Sequence, residues 1–246
     1  MKRIVLSIIA LCLFIPFVVN ADVNDEEIVA QTIKYYKTVT FNDTLCTVSE
    51  NNLCNNSITY EVSKEEFDNS PSEPIRGNGL TETAYKRLTS TISTYATYYY
   101  KYSANLYWKQ IPSKRSYDIM GIGHYGSVKI LGDDVYFEQH YTKNGTNYTT
   151  YSYYPQVFSN GGGCSFELPS GTLTALSQDL YIIVEKNTNS TIIEQLAAAD
   201  YAHATSTISL NNSKKYWVGP TGINHNGNSS YYDAINTADA TWAGTW

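Results

Sequence analysis

The chain has 246 residues, with 17 basic against 23 acidic side chains and a formal charge of −6, enough length for one large domain or two modest ones. A phosphate-binding face needs clustered Lys and Arg to release counterions, and without such clusters neither nucleic acid nor an anionic membrane is expected as a partner. Charged residues make up only 16% and Tyr outnumbers Phe 23 to 7, a composition that leans to half-buried β-structure.

Lys2 and Arg3 are followed by an apolar run from Ile4 to Val19, and Val19-Asn20-Ala21 ends it with short side chains. This pattern predicts a secretory signal peptide over 1–21 and a secreted, extracellular product. The run falls short of the roughly 20 residues a spanning helix wants. Asp22, Asp25, Glu26 and Glu27 come directly after it, with no basic stop-transfer cluster, so no transmembrane anchor is expected after cleavage. Leu11 stands before Cys12 where lipidation takes a small residue.

Cleavage removes Lys2 and Arg3, leaving 15 basic against 23 acidic side chains. At the start of the mature chain, Asn24 with Asp25–Glu27 could open a helix through Ile33, while Tyr36–Phe41 and Ser57–Val62 alternate as strands. Cys46 and Cys54 are flanked by Asn-rich, turn-prone sequence. In an oxidising compartment they are expected to pair, a clip contributing about 2–3 kcal/mol through loop closure. Ser63–Gly79 is polar and holds Pro71, Pro74, Gly77 and Gly79, as a linker would.

From Tyr98 to Ile111 alternation is clean. Tyr98, Tyr100, Tyr102, Ala104, Leu106 and Trp108 take one parity, and Tyr99, Lys101, Ser103, Asn105, Tyr107 and Lys109 the other, which predicts a long strand with one face on a core. Tyr117–Gly123 comes next as a strand whose glycines require a bulge or a close backbone approach. Ser127–Leu131, Val135–Tyr141 and Asn147–Tyr154 read as further strands. Lys143-Asn144-Gly145 makes a hairpin turn, because Asn-Gly tolerates positive φ. The stretch Tyr98–Tyr154 is therefore expected to be an antiparallel meander.

Beyond it, the apolar run Leu180–Glu185 suits a central strand buried on both faces. Thr191 and Glu194 have capping-box spacing, which predicts a short helix over Ile192–Ala199. Ala202–Leu210 and Lys214–Val218 read as strands. Tyr231, Ile235, Ala238 and Trp242 after Ser230 predict a C-terminal helix. The expected fold is all-β: a β-sandwich built on an antiparallel meander with one or two short helices, one near the C-terminus. Residues 22–246 form one secreted β-rich domain, with 22–79 as a looser N-terminal subregion.

For chemistry, Cys164 in Gly161-Gly162-Gly163-Cys164-Ser165 is the sharpest nucleophile candidate, with glycine amides for an oxyanion and His203 or His225 as base. Gly123-His124-Tyr125 resembles the histidine segment of cell-wall cysteine peptidases, but it precedes the cysteine. That family's nucleophile opens a helix, whereas here Pro169 lies five residues on and the surroundings read as strand. A buried structural thiol is the competing reading.

His124, His140, His203 and His225 show no zinc spacing, so no metal and no cofactor is expected. Among Glu138, Glu167, Asp179 and Glu185 nothing selects a catalytic pair. The remaining candidates are outward tyrosines, Tyr99 and Tyr107 on one strand with Tyr151 and Tyr153 beside them, whose rigid rings suit sugar stacking or protein contact. They also suit a purely structural cross-strand ladder. The expected role is non-catalytic binding or adhesion to glycan or extracellular protein at the cell envelope. A secreted hydrolase using Cys164 and a structural surface protein are the alternatives, and the oligomeric state is left open.

Overall fold

The computed structural model describes residues 26–41, 57–72, 80–227 and 229–246. The expected signal at 1–21 and the Cys46–Cys54 pair lie outside the described residues. In chain order the strands begin with β1 (Ile28–Phe41), β2 (Ser57–Val62), β3 (Leu80–Ala96), β4 (Tyr99–Trp108) and β5 (Tyr117–Gly123). Next come β6 (Val128–Ile130), β7 (Tyr136–Lys143), β8 (Thr146–Thr150), β9 (Tyr154–Phe158) and β10 (Gly161–Glu167). The last are β11 (Leu173–Lys186), β12 (Glu194–Ala202), β13 (Tyr216–Gly219), β14 (Gly222–His225) and β15 (Asn236–Ala243). Two short helices, α1 (Lys64–Asn69) and α2 (Leu210–Ser213), complete an all-β sandwich.

The large sheet runs β2-β1-β3-β4-β11-β7-β8, with β6 on the end of β11, and the smaller runs β15-β12-β5-β10-β9. Every ladder in both is antiparallel. The main core fills the space between them. Leu88, Ile92, Tyr102, Leu106, Trp108, Phe137, Leu180 and Ile182 come from the large sheet, and Met120, Ile122, Cys164, Phe166, Ala199 and Tyr201 from the small one. A second cluster, including Ile119, Ala202, Tyr216, Val218 and Ile223, lies on the other side of the small sheet. There the β13–β14 ribbon covers it, so β5, β10 and β12 are buried on both faces.

This layering explains where the sequence pattern misleads. The segment expected as a helix over Ile192–Ala199 is mostly β12, whose residues from Gln195 to Ala202 are all buried. With both faces covered there is no alternation to read, and tertiary pairing overrides the helix propensity of Leu196 and the alanines. The expected C-terminal helix is instead a short 3₁₀ turn at Ser229–Tyr231 and then β15. The helix near the C-terminus is α2, capped by Ser209, whose hydroxyl accepts from the Asn212 amide.

The stretch Tyr98–Tyr154 is antiparallel, as expected, but it is not one continuous meander. β5 leaves for the small sheet while β11 inserts between β4 and β7. The N-terminal segment continues as β1 and does not begin as a helix through Ile33. Part of the expected linker is α1, with Ser63 as its cap and Phe67 buried. The strand expected over Ala202–Leu210 stops at Ala202, after which Ala204 makes only an isolated bridge with Tyr232. β3, at 17 residues, has no counterpart among the expected elements.

Candidate functional site

On β4 the residues of one parity, Tyr102, Ala104, Leu106 and Trp108, are buried in the core, and Tyr99, Lys101, Ser103, Asn105 and Tyr107 face outward. Register carries that outward row onto its neighbours. Asn105 stands beside Asp179 of β11, which stands beside Glu138 of β7, and Tyr107, Ser177 and His140 form the next row. Asn105 Nδ2 donates to Asp179 Oδ1 at 2.8 Å. His140 Nε2 lies 3.3 Å from Glu138 Oε2 and 3.5 Å from Asp179 Oδ2, and Thr149 Oγ1 is 3.0 Å from Nδ1. In the neutral ring, a donor at Nε2 facing the two carboxylates makes Nδ1 the acceptor of the Thr149 hydroxyl. These three ionisable side chains are about 40% exposed, so the row is open to solvent.

On the other side of the Asn105 row, beside Ser103, Tyr136 and Tyr181 are register partners whose rings stack at 4.6 Å and 10°. Lys101 Nζ sits 4.8 Å from the centre of Tyr181, and Arg87 lies over Tyr107 at 5.3 Å. Tyr99 and Tyr107 thus flank a strip of paired rings, amide, carboxylates and imidazole across three strands. Nothing in sequence alone selects Tyr136, Tyr181, Glu138 or Asp179 as neighbours, because β11 and β7 meet β4 only through the sheet order. Tyr151 and Tyr153 do not join the strip. β8 ends at Thr150; Tyr151 is exposed beyond it, and Tyr153 packs against Phe137 and donates to Val135 O at 2.9 Å.

Cys164 is fully buried, and burial alone pushes its thiol well above the ordinary range. The residues expected as an oxyanion cradle, Gly161–Gly163, lie in the β10 ladders with β5 and β9. The glycines serve close packing: a Cβ on Gly123 would sit 1.9 Å from Gly219 O, so only glycine lets the ribbon approach. His124 is buried with Nδ1 bonded to Tyr125 O at 2.9 Å, and burial lowers its pKa.

A cleft of about 850 Å³ opens beside Lys109, Lys114 and Arg115. Its cations are committed to the protein: Arg115 Nη1 donates to Pro169 O and Gly171 O at 2.6 Å each, Lys109 to Asp68 O at 2.8 Å, and Lys114 to Thr207 at 2.8 Å. These bonds staple loops and occupy donors of all three side chains, though their partners are neutral and leave the charges in place.

Sequence reading also misses a polar cluster inside the sandwich. Lys86 lies on the inner face of β3, opposite Trp108 in register, and its Nζ is 2.6 Å from Asp233 Oδ2, both side chains being wholly buried. Thr38 and Thr59 donate to the same oxygen at 3.3 and 3.2 Å, and the His203 amide donates to Oδ1 at 2.9 Å. His203 Nδ1 also meets Asp118 Oδ2 at 3.1 Å. Asp118 further accepts from the Ala204 amide at 2.8 Å and from the Tyr201 hydroxyl. Burial, then Asp118, raises the Tyr201 hydroxyl well above its ordinary range. The even spacing of Lys86, Leu88, Ser90 and Ile92 is the one sequence signal that places Lys86 on the inner face.

No family model matches the chain, and no curated protein is similar to it. Among solved structures, one of AvmM, described as catalysing macrocyclization in alchivemycin A biosynthesis, is similar over 59% of this chain and 80% of its own length. The identity is 11% and the TM-score 0.26.

Proposed function

We propose that the protein is a secreted, non-catalytic β-sandwich that binds glycan at the cell envelope or outside it, through the outer face of β4, β11 and β7. The observation that carries this reading is the solvent-facing Tyr136–Tyr181 stack beside Asn105, Asp179, Glu138 and His140. Aromatic rings offer apolar faces to sugar C–H groups, and neighbouring amides and carboxylates take the hydroxyls. The net acidic charge favours a neutral or basic glycan over an anionic one. Export is supported by the pattern of residues 1–21.

The test is a binding screen against soluble glycans and insoluble wall polysaccharides. Tyr107→Ala and Tyr136→Ala are expected to weaken binding at least about tenfold, since each removes an exposed ring contact, while Tyr151→Ala leaves it unchanged. Absence of any glycan ligand, or retention of full affinity in Tyr136→Ala, rejects the reading.

A further inference from the structure

We propose that Lys86 and Asp233 join in an intramolecular amide, a covalent tie between β3 of the large sheet and the segment entering β15 of the small one. This inference rests on the interior cluster and is independent of what the outer face binds. Both side chains are closed off from solvent, with Nζ in contact with Oδ2 at 2.6 Å. A buried ion pair is poorly compensated for its lost hydration, whereas an amide built from the same atoms carries no charge. Fixing amine and carboxyl in contact also makes their condensation unimolecular.

The surroundings match the needs of acyl transfer. Oδ1 faces the backbone N–H of His203 at 2.9 Å, a fixed donor where negative charge grows as the carbon is attacked. Oδ2, the oxygen to be lost, holds the hydroxyls of Thr38 and Thr59. The rings of Trp108 and Tyr201 wall Nζ at 5.0 and 5.2 Å from their centres. Asp118, which holds both His203 and Tyr201, acts as a positioning residue.

In the step, one proton passes from the ammonium to the carboxylate, giving amine and acid. The nitrogen lone pair then attacks Cγ, the C–N bond forms and the C–Oδ2 bond breaks. Oδ2 leaves as water with the transferred proton and a second proton from nitrogen. One N–H remains on the amide, and no oxidant, reductant or cofactor is consumed.

Intact mass spectrometry of the reduced, purified full chain tests this. The expected mass lies one water, about 18 Da, below the residue sum. In the tryptic digest a branched peptide joins the Lys86 and Asp233 segments, and no cleavage occurs after Lys86. Lys86→Arg is expected to restore the full mass. Asp233→Asn reacts with loss of ammonia, a deficit of about 17 Da. A wild-type mass at the residue sum overturns the proposal. So does a deficit that persists in Lys86→Arg, which marks a cyclic imide at Asp233. Should the variants fail to fold, the wild-type digest decides alone, because free cleavage after Lys86 also overturns it.

Discussion

Asp200, which is wholly buried, and His225, which is half-buried with its ring nitrogens closed off, have opposing effects on stability. Asp200 Oδ1 accepts from Thr237 Oγ1 at 2.8 Å, while Oδ2 has no partner among the described residues, and burial pushes the pKa up to about 8. Between about pH 4 and 8 the unfolded chain releases a proton that the folded one keeps. Asp200 therefore costs about 1.4 kcal/mol of stability per unit of rising pH across that window. His225, stacked on Tyr232 at 4.5 Å with both ring nitrogens unpartnered among the described residues, is pushed down to about 4 by burial. Its contribution is full above about pH 6.5 and is lost as pH falls toward 4, because the unfolded imidazole takes the proton first. From these two groups, the slopes cancel between pH 4 and 6.5 and only the loss between 6.5 and 8 remains. Asp200→Asn is expected to abolish that loss and to unmask a decline below pH 6.5, read by urea denaturation at pH 5, 6.5 and 8. Neither effect is legible in sequence, since burial of a single Asp or His depends on how the small sheet is covered.

Among the elements, β13 shows what the glycines are for. Its Gly219 carbonyl lies where a Gly123 side chain would begin, so Gly123→Ala must displace the ribbon from β5. An expected loss of about 3 kcal/mol or more, at the upper end of overpacking costs, is checked by chemical denaturation of the variant. The sequence does announce a close approach here, because Gly121 and Gly123 interrupt an otherwise apolar strand. It reads β4 well for the same reason it misreads β12, and of β11 it finds only Leu180–Glu185, expected to be buried on both faces although Asp179 and Tyr181 show that one face is open. Alternation or a short β-branched run is visible where one pattern dominates, but a strand of Leu and Ala buried on both faces looks like a helix. β3 goes unread because Lys86, Ser90 and Ser93 put polar atoms at buried positions whose partners lie far along the chain.

Across the whole molecule the sandwich class is visible from composition and turn spacing, whereas the assignment of strands to sheets is not, since it depends on β11 inserting between β4 and β7. The same non-local order decides the site. The outward parity of Tyr99 and Tyr107 comes from β4 alone, but their neighbours come from β11 and β7, and Lys86 meets Asp233 across 147 positions. Cys164, lying between the sheets, is expected to report the opening of the whole core. In urea, its peptide-mapped labelling by iodoacetamide and the far-UV circular dichroism should share one midpoint; labelling well before the midpoint would reveal local opening of β10.

One pair of contacts ties the first described strand to the last. The Tyr36 hydroxyl donates to Thr237 O and accepts from Thr237 N at 3.0 Å, and Thr32 Oγ1 donates to Asp239 O at 2.7 Å. Because β1 and β15 belong to different sheets, a load parting them falls on these few side-chain bonds at the seam and not on a backbone ladder.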